Sequence, residues 1–346
     1  MSEASKVIGL KPSGLVAALK SMIPERTLCL NISGPPGVGK SSIVKQVSKD
    51  LRMDFIDIRA VLLDPVDLRG VPSIERGRTR FNPPDFLPKE GCKDTIVFLD
   101  ELDKAPMLTQ CGLLQYALDR KIGEYVSPPN VTIIAAMNRQ SDRAGSQKLN
   151  TALANRFIHL HLNEDKEEWK SWAVDSGIHQ SVRAYLDFRP SHLLDFDPSR
   201  PGNAFASPRS WEFVSTALKA MEASGVGGEV KAATVCGAIG EGVGAEFNTF
   251  LRVYDKLPDV EAMLKNPAKA KIPEDASIRY AILSAAVDIY RNKPELKLNM
   301  MDLLLKLPTE YSLLGIRDAT TANREFSQGN PKLIQWVKDN AKDLKV

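Results

Sequence analysis

The sequence predicts an α/β protein, a parallel sheet flanked by helices, followed by an all-helical region. Three observations carry this. A glycine-rich loop with the spacing G-x-x-x-x-G-K-S, Gly34 to Ser41, follows the apolar run 27–32 and precedes a helical pattern. Apolar runs of strand length recur at 53–58, 95–99, 131–136 and 157–162, with helical or irregular stretches between them. Beyond Glu164 no such run returns, and only helical periodicity continues.

Each element has its own local reason. Leu15, Val16, Leu19 and Met22 recur at helical spacing over 12–22, so a short amphipathic helix precedes the first core strand. Ile43, Val44 and Val47 give one apolar face to a helix beginning near Lys40. Between Asp64 and Cys92 stand five prolines (65, 72, 83, 84 and 88) and the charged run Arg76 to Arg80, so a long irregular insertion is expected there rather than a continuous helix. Its Arg76, Arg78, Arg80 and Phe81 either face a substrate or partner or form a solvated hairpin. A helix over 108–118, a turn or hairpin over 121–125 and a helix over 146–155 complete the first region. In the second, Trp169, Trp172 and Ala173 share a helix face, 182–188 continues helical, and 189–206 is a loop. Ser207-Pro208 has the cap-and-proline signature of a helix start, leading into Trp211, Val214, Leu218 and Met221. Gly225 to Gly244 is expected to break the helical pattern. Helices are then predicted around Phe247, Phe250, Leu251 and Tyr254, and over 278–290, 300–307 and 333–344. The expected division is 1–163, 164–257 and 258–346.

The chemistry concentrates at the predicted strand ends. Gly34, Pro35, Pro36, Gly37, Val38 and Gly39 suit a loop whose backbone N–H groups curl around an anion, with the next helix adding its positive end. Lys40 is placed to bridge phosphate oxygens, Ser41 to ligate Mg²⁺, and Ser42 follows in the first turn. Asp100 and Glu101 end an apolar strand, where ligands bind in open α/β sheets; beside a phosphate loop, the first suits Mg²⁺ through water and the second suits polarising the attacking water. Asn138 ends another strand, and its amide can bond both a terminal phosphate and that water. Arg156 precedes the last strand. Arg209 sits in the first turn of a helix, against the helix dipole, which suits an anionic partner.

Composition excludes more than it selects. Forty-six basic against forty-three acidic residues leave +3, no overall footprint for nucleic acid. Cys29, Cys92, Cys111 and Cys236 have no C-x-x-C spacing and read as reduced core thiols, which points to a cytoplasmic location. No run of about eighteen apolar residues and no charged-then-apolar leader occur, so neither membrane nor export is expected. His159 and His161 share one face of a strand, but no third residue of metal-ligand spacing accompanies them.

The ordered set G-P-P-G-V-G-K-S, D-P-V-D-L-R-G, I-V-F-L-D-E-L, A-A-M-N, L-A-N-R-F and S-P-R-S-W resembles an AAA+ ATPase over about residues 5 to 255. Within that superfamily it looks like the MoxR group and its dynein-related relatives. The resemblance implies an AAA+ P-loop NTPase core, a helical lid and a C-terminal helical region, with ATP and Mg²⁺ as cofactors. It implies Lys40 and Ser41 in Walker A, Asp100 and Glu101 in Walker B, Asn138 as sensor 1, Arg156 as the finger given to a neighbouring subunit, and Arg209 as sensor 2. Arg139 and Arg143 compete for the finger role. The implied function is ATP hydrolysis in a homo-oligomeric ring, a hexamer, that remodels or activates a protein client, with a von Willebrand factor A domain partner. The alternative is a nucleic-acid-handling AAA+ NTPase, a restriction-type translocase subunit using ATP or GTP.

Overall fold

The computed structural model describes residues 8–142, 149–200, 202–254 and 257–340. They divide into two units, Met1–Asp165 with Asp197–Arg200, and Lys166–Phe196 with Pro201–Val346.

The first unit is built on strands β1 (Gly9–Leu10), β2 (Cys29–Ser33), β3 (Asp54–Arg59), β4 (Val71–Glu75), β5 (Arg78–Asn82), β6 (Thr95–Asp100), β7 (Lys121–Ile122), β8 (Tyr125–Val126), β9 (Val131–Met137) and β10 (Ile158–Leu162). Six of them form a parallel sheet in the order β1-β10-β2-β9-β6-β3. The continuous apolar runs of β2, β6 and β9 take its centre, because strands covered on both faces must be apolar at every position. On one face Cys29, Val97, Leu99, Ile133 and Ala135 share a core with Leu113 and Tyr116 of helix Met107–Asp119. The alternate residues Leu30, Ile32, Ile96, Phe98, Ile134 and Ala136 are equally buried and point to the other face. The two-residue β1 pairs with β10 at the sheet's edge; it is too short to show a period, and the sequence pattern misses it.

The region 64–92 is more ordered than its prolines suggest. Pro65–Arg69 is a short helix, and β4 and β5 pair as an antiparallel hairpin through Arg76 and Gly77, both at positive φ (52° and 73°). The hairpin projects: Val71 and Ile74 are 70% and 83% exposed, and the Arg69 guanidinium lies 5.3 Å from the Phe81 ring centroid. The expected helix over 146–155 is observed only at Thr151–Ala154, capped by Asn150; residues 143–148, with Arg143, lie outside the described residues.

Helices make up the second unit. Ser207 caps helix Pro208–Ser224 as its sequence predicts: the Ser210 N–H donates to Ser207 Oγ at 3.2 Å, and the Ser207 N–H to Ser210 Oγ at 2.8 Å. Tyr185, Trp211, Phe247 and Phe250 pack into an aromatic core, with rings 4.9–5.6 Å from Tyr185. A second core gathers Tyr290, Met300, Met301, Leu304 and Phe326. Helix Ala276–Asn292 serves both, giving Ala281 to the first and Ile282 and Leu283 to the second.

Three expectations need correction. Gly225 to Gly244 does not break the helical pattern but contains a full helix, Gly228–Ile239, and the start of another, Glu241–Tyr254. Its glycines mostly flank the helices, while Gly244 sits where they touch: a Cβ there would stand 2.7 Å from Cys236 Cα. Helices Val260–Lys265 and Thr309–Ala322 carry no strong period and were not expected, and the last helix is Pro331–Asp339, residues 341–346 lying outside the described set. The thiols are not all core: Cys29 is buried, Cys92 and Cys236 half-buried and Cys111 exposed.

Helices 166–175, 180–188, 276–292 and 309–322 enclose a charged layer. Asp187 Oδ1 lies 2.7 Å from Lys170 Nζ, Arg183 pairs with Asp288, and Asp318 is nearby. Burial, then the charge of Asp318, pushes the Asp187 carboxyl up to about 6; Lys170 pulls the other way, but it is shared with Glu167 at 3.5 Å. A raised carboxyl favours the folded state at low pH, and that contribution is lost as pH rises through about 6. His179, lowered by burial, acts in the opposite sense over a neighbouring range, so the comparison with Asp187→Asn isolates the effect. Relative to wild type, Asp187→Asn gains up to about 3 kcal/mol between pH 4 and pH 7.5. Denaturant melts at the two pH values measure this, and an equal difference at both rejects it.

Candidate active site

Strand ends bring the predicted residues together. Parallel pairing of β2, β9 and β6 aligns Ser33 with Met137 and Leu99 with Ala135, so the phosphate loop, Asn138 and Asp100 all emerge at the carboxyl edge of the sheet. The loop needs its glycines. A Cβ on Gly34 would stand 2.7 Å from the Leu162 carbonyl oxygen, and Gly39 takes φ 95° as it enters helix Lys40–Asp50. Pro35, Pro36, Gly37 and the buried Val38 lie between, and Ser42 is exposed in the first turn. That helix has no side-chain cap and no acidic residue in its first turn, so its leading N–H groups are left as donors for an anion.

The side chains converge on this edge. Lys40 Nζ donates to the carbonyls of Gly34 (2.8 Å) and Pro35 (3.0 Å) and to Asn138 Oδ1 at 3.1 Å. The Ser41 hydroxyl donates to Asp100 Oδ2 at 3.1 Å, and Asp100 Oδ1 accepts the Glu101 N–H at 2.9 Å. An alcohol and a carboxylate at that separation form a hard-oxygen pair of the kind Mg²⁺ takes beside phosphate. Asp100 also reaches Asp57 on β3: burial first, then the Asp100 charge, raises the Asp57 carboxyl.

The predicted arginines have other surroundings. Arg156 is exposed, two residues before β10, and makes no ion pair among the described residues. His161 of β10 pairs with Ser33, the residue before the loop, so Arg156, in the turn before the strand begins at Ile158, lies toward the other end of β10. Its competitor Arg139 lies beside Asn138 with Nε 3.6 Å from Asp142 Oδ2. Arg209 is exposed in the first turn of helix Pro208–Ser224, in the second unit.

Two features escaped the sequence reading. Glu101 forms a 2.7 Å ion pair with Lys104, which looks like an ordinary solvated lysine in the sequence. Beneath the loop, Asn31 Nδ2 lies 3.0 Å from His159 Nδ1 and Ser33 Oγ 2.5 Å from His161 Nδ1, a polar layer between two strands. Burial, followed by His159 and Arg139, lowers the His161 pKa, keeping the ring neutral. Among the described residues no group of three potential metal-binding His, Cys, Asp or Glu residues occurs, so the histidines have structural partners and no ligand cluster.

Residues 30–157 match the family described as AAA domain (dynein-related subfamily). That match spans the phosphate loop, Asp100, Glu101, Asn138 and Arg156. No curated protein matches its sequence. Among solved structures, it is similar to NtrX from Brucella abortus in complex with ATP, at 12% identity over 99% of this chain and 70% of that one, with a TM-score of 0.42. It is also similar to Thermotoga maritima RuvB, at 16% identity over 82% of this chain and 92% of that one, with a TM-score of 0.38. These whole-chain superpositions are loose, and the assignment rests on the domain match. No helix among the described residues is long and apolar enough to cross a membrane.

Proposed function

We propose that this ATPase works with Mg²⁺ in a homo-oligomeric ring, a hexamer, in the cytoplasm, and uses turnover to remodel or activate a protein partner in the manner of the MoxR group. The observation that carries the reading is the double convergence at the sheet edge, Lys40 with Asn138 and Ser41 with Asp100. The glycine loop and bare helix start take the phosphates, and Lys40 exchanges its carbonyl partners for phosphate oxygens. Ser41 and Asp100 would hold Mg²⁺, which would supply charge neutralisation at the phosphates. Glu101 accepts a proton from the attacking water, while Asn138 orients that water and the terminal phosphate. We read Arg209 as sensor 2, residues 164–257 as the lid and 258–346 as a C-terminal region fitted to a client or a von Willebrand factor A domain.

The ring is tested by light scattering with and without a non-hydrolysable ATP analogue, alongside turnover at increasing protein concentration. The expected result is a hexameric mass with the analogue and specific activity that rises with assembly. A monomeric mass with full activity rejects it. The exposed Arg76, Arg78 and Arg80 on the projecting hairpin favour, as a second reading, an NTPase that handles nucleic acid. Stimulation of turnover by DNA or RNA, lost when the three are changed to Ala, selects that reading.

A further inference from the structure

Glu101 enters the turn after β6 at φ 56° and ψ 38°, a left-handed conformation that a non-glycine residue keeps only where its surroundings hold it. Its N–H is held by Asp100 Oδ1 at 2.9 Å, and its Oε1 by Lys104 Nζ at 2.7 Å. Lys104 is itself fixed: its backbone N–H donates to the Glu101 carbonyl at 2.9 Å, and the turn is pinned by Leu102 and Ala105, both fully buried. Both charged side chains are 27% exposed, so water screens the pair only in part. The Glu101 carboxylate therefore has one oxygen engaged by an ammonium three residues along its own turn.

We propose that Lys104 is a positioning residue that clamps Glu101 onto its turn in the resting enzyme and releases it when nucleotide and the attacking water compete for the carboxylate. The inference rests on Glu101 being the water-activating group. The clamp is local to one turn, so it restrains basal hydrolysis in every subunit without touching the nucleotide. Lys104→Met keeps the length of the stem and removes the charge. A partly exposed pair of this kind restrains the carboxylate by a factor of about 2 to 5, so kcat rises by that factor in Lys104→Met at unchanged KM. Lys104→Arg returns kcat to the wild-type value.

A second readout needs no turnover: the rate at which a succinimidyl ester acylates Lys104, followed by peptide mass spectrometry. Without nucleotide, Lys104 reacts more slowly in wild type than in Glu101→Gln; a non-hydrolysable ATP analogue brings wild type up to the variant. A fall or no change in kcat of Lys104→Met overturns the proposal, as does equal labelling of wild type and Glu101→Gln without nucleotide. A wild type that hydrolyses no ATP rejects the functional reading instead, while the labelling comparison still decides the clamp.

Discussion

Arg156→Ala protein is expected to bind ATP like wild type and to hydrolyse it about 10³-fold more slowly, the effect of removing an arginine that neutralises charge in phosphoryl transfer. The register of β10 against β2 carries the prediction. Ile158 pairs with Leu30 and His161 with Ser33, so Arg156 lies toward the end of the sheet opposite to its own phosphate loop. On the proposed ring reading, an exposed guanidinium placed there, with no ion pair among the described residues, would serve a site on a neighbouring subunit. Mixing tests the geometry directly. Lys40→Ala subunits keep the arginine but lose the phosphate lysine, while Arg156→Ala subunits keep an intact loop, so mixed assemblies recover part of the turnover that each lacks alone. Full activity from Arg156→Ala alone sinks the assignment. Failure of mixtures to recover any activity argues for Arg139, which stands beside Asn138 in the same subunit.

The candidate site is legible where its residues stand at a change in the chain's character. Asp100 and Asn138 each end an uninterrupted apolar run, and in a parallel sheet such ends share one edge, so the local pattern also gives their neighbourhood. Sheet order was not legible: nothing in Cys29–Ser33 says that it lies between β10 and β9, because that choice is made by non-local packing. Helix Gly228–Ile239 is not legible because clustered glycines usually break helices, whereas here Gly244 allows two helices to touch. The polar layer joining Asn31 and Ser33 to His159 and His161 left a trace in the sequence, alternate polar residues in two otherwise apolar strands, but the pairing needs the register. Lys104 left none, since a lysine three residues from a glutamate is ordinary on any solvated turn.

Glu101→Gln is expected to retain ATP binding while turnover falls by about 10² to 10⁴, the usual contribution of a positioned general base. The two functions separate because they use different atoms. Phosphate binding is assigned to the loop backbone, the uncapped start of helix Lys40–Asp50 and the Lys40 ammonium, which bonds the Gly34 and Pro35 carbonyls, whereas the Glu101 carboxylate bonds Lys104. Ser41 and Asp100, the pair proposed to hold Mg²⁺, are also left intact, and the Glu101 N–H that bonds Asp100 belongs to the backbone and survives the change. Glutamine is nearly isosteric, so the left-handed turn is kept, but its neutral amide cannot take up the proton that water must lose. Binding of a fluorescent ATP analogue and phosphate release, measured on the same preparation, give the two numbers. Lys40→Ala supplies the contrast, because losing the ammonium leaves phosphate charge uncompensated and binding itself weakens. Equal turnover in Glu101→Gln and wild type would mean that another group activates the water, whereas loss of binding in Glu101→Gln would mean that the side chain holds the loop.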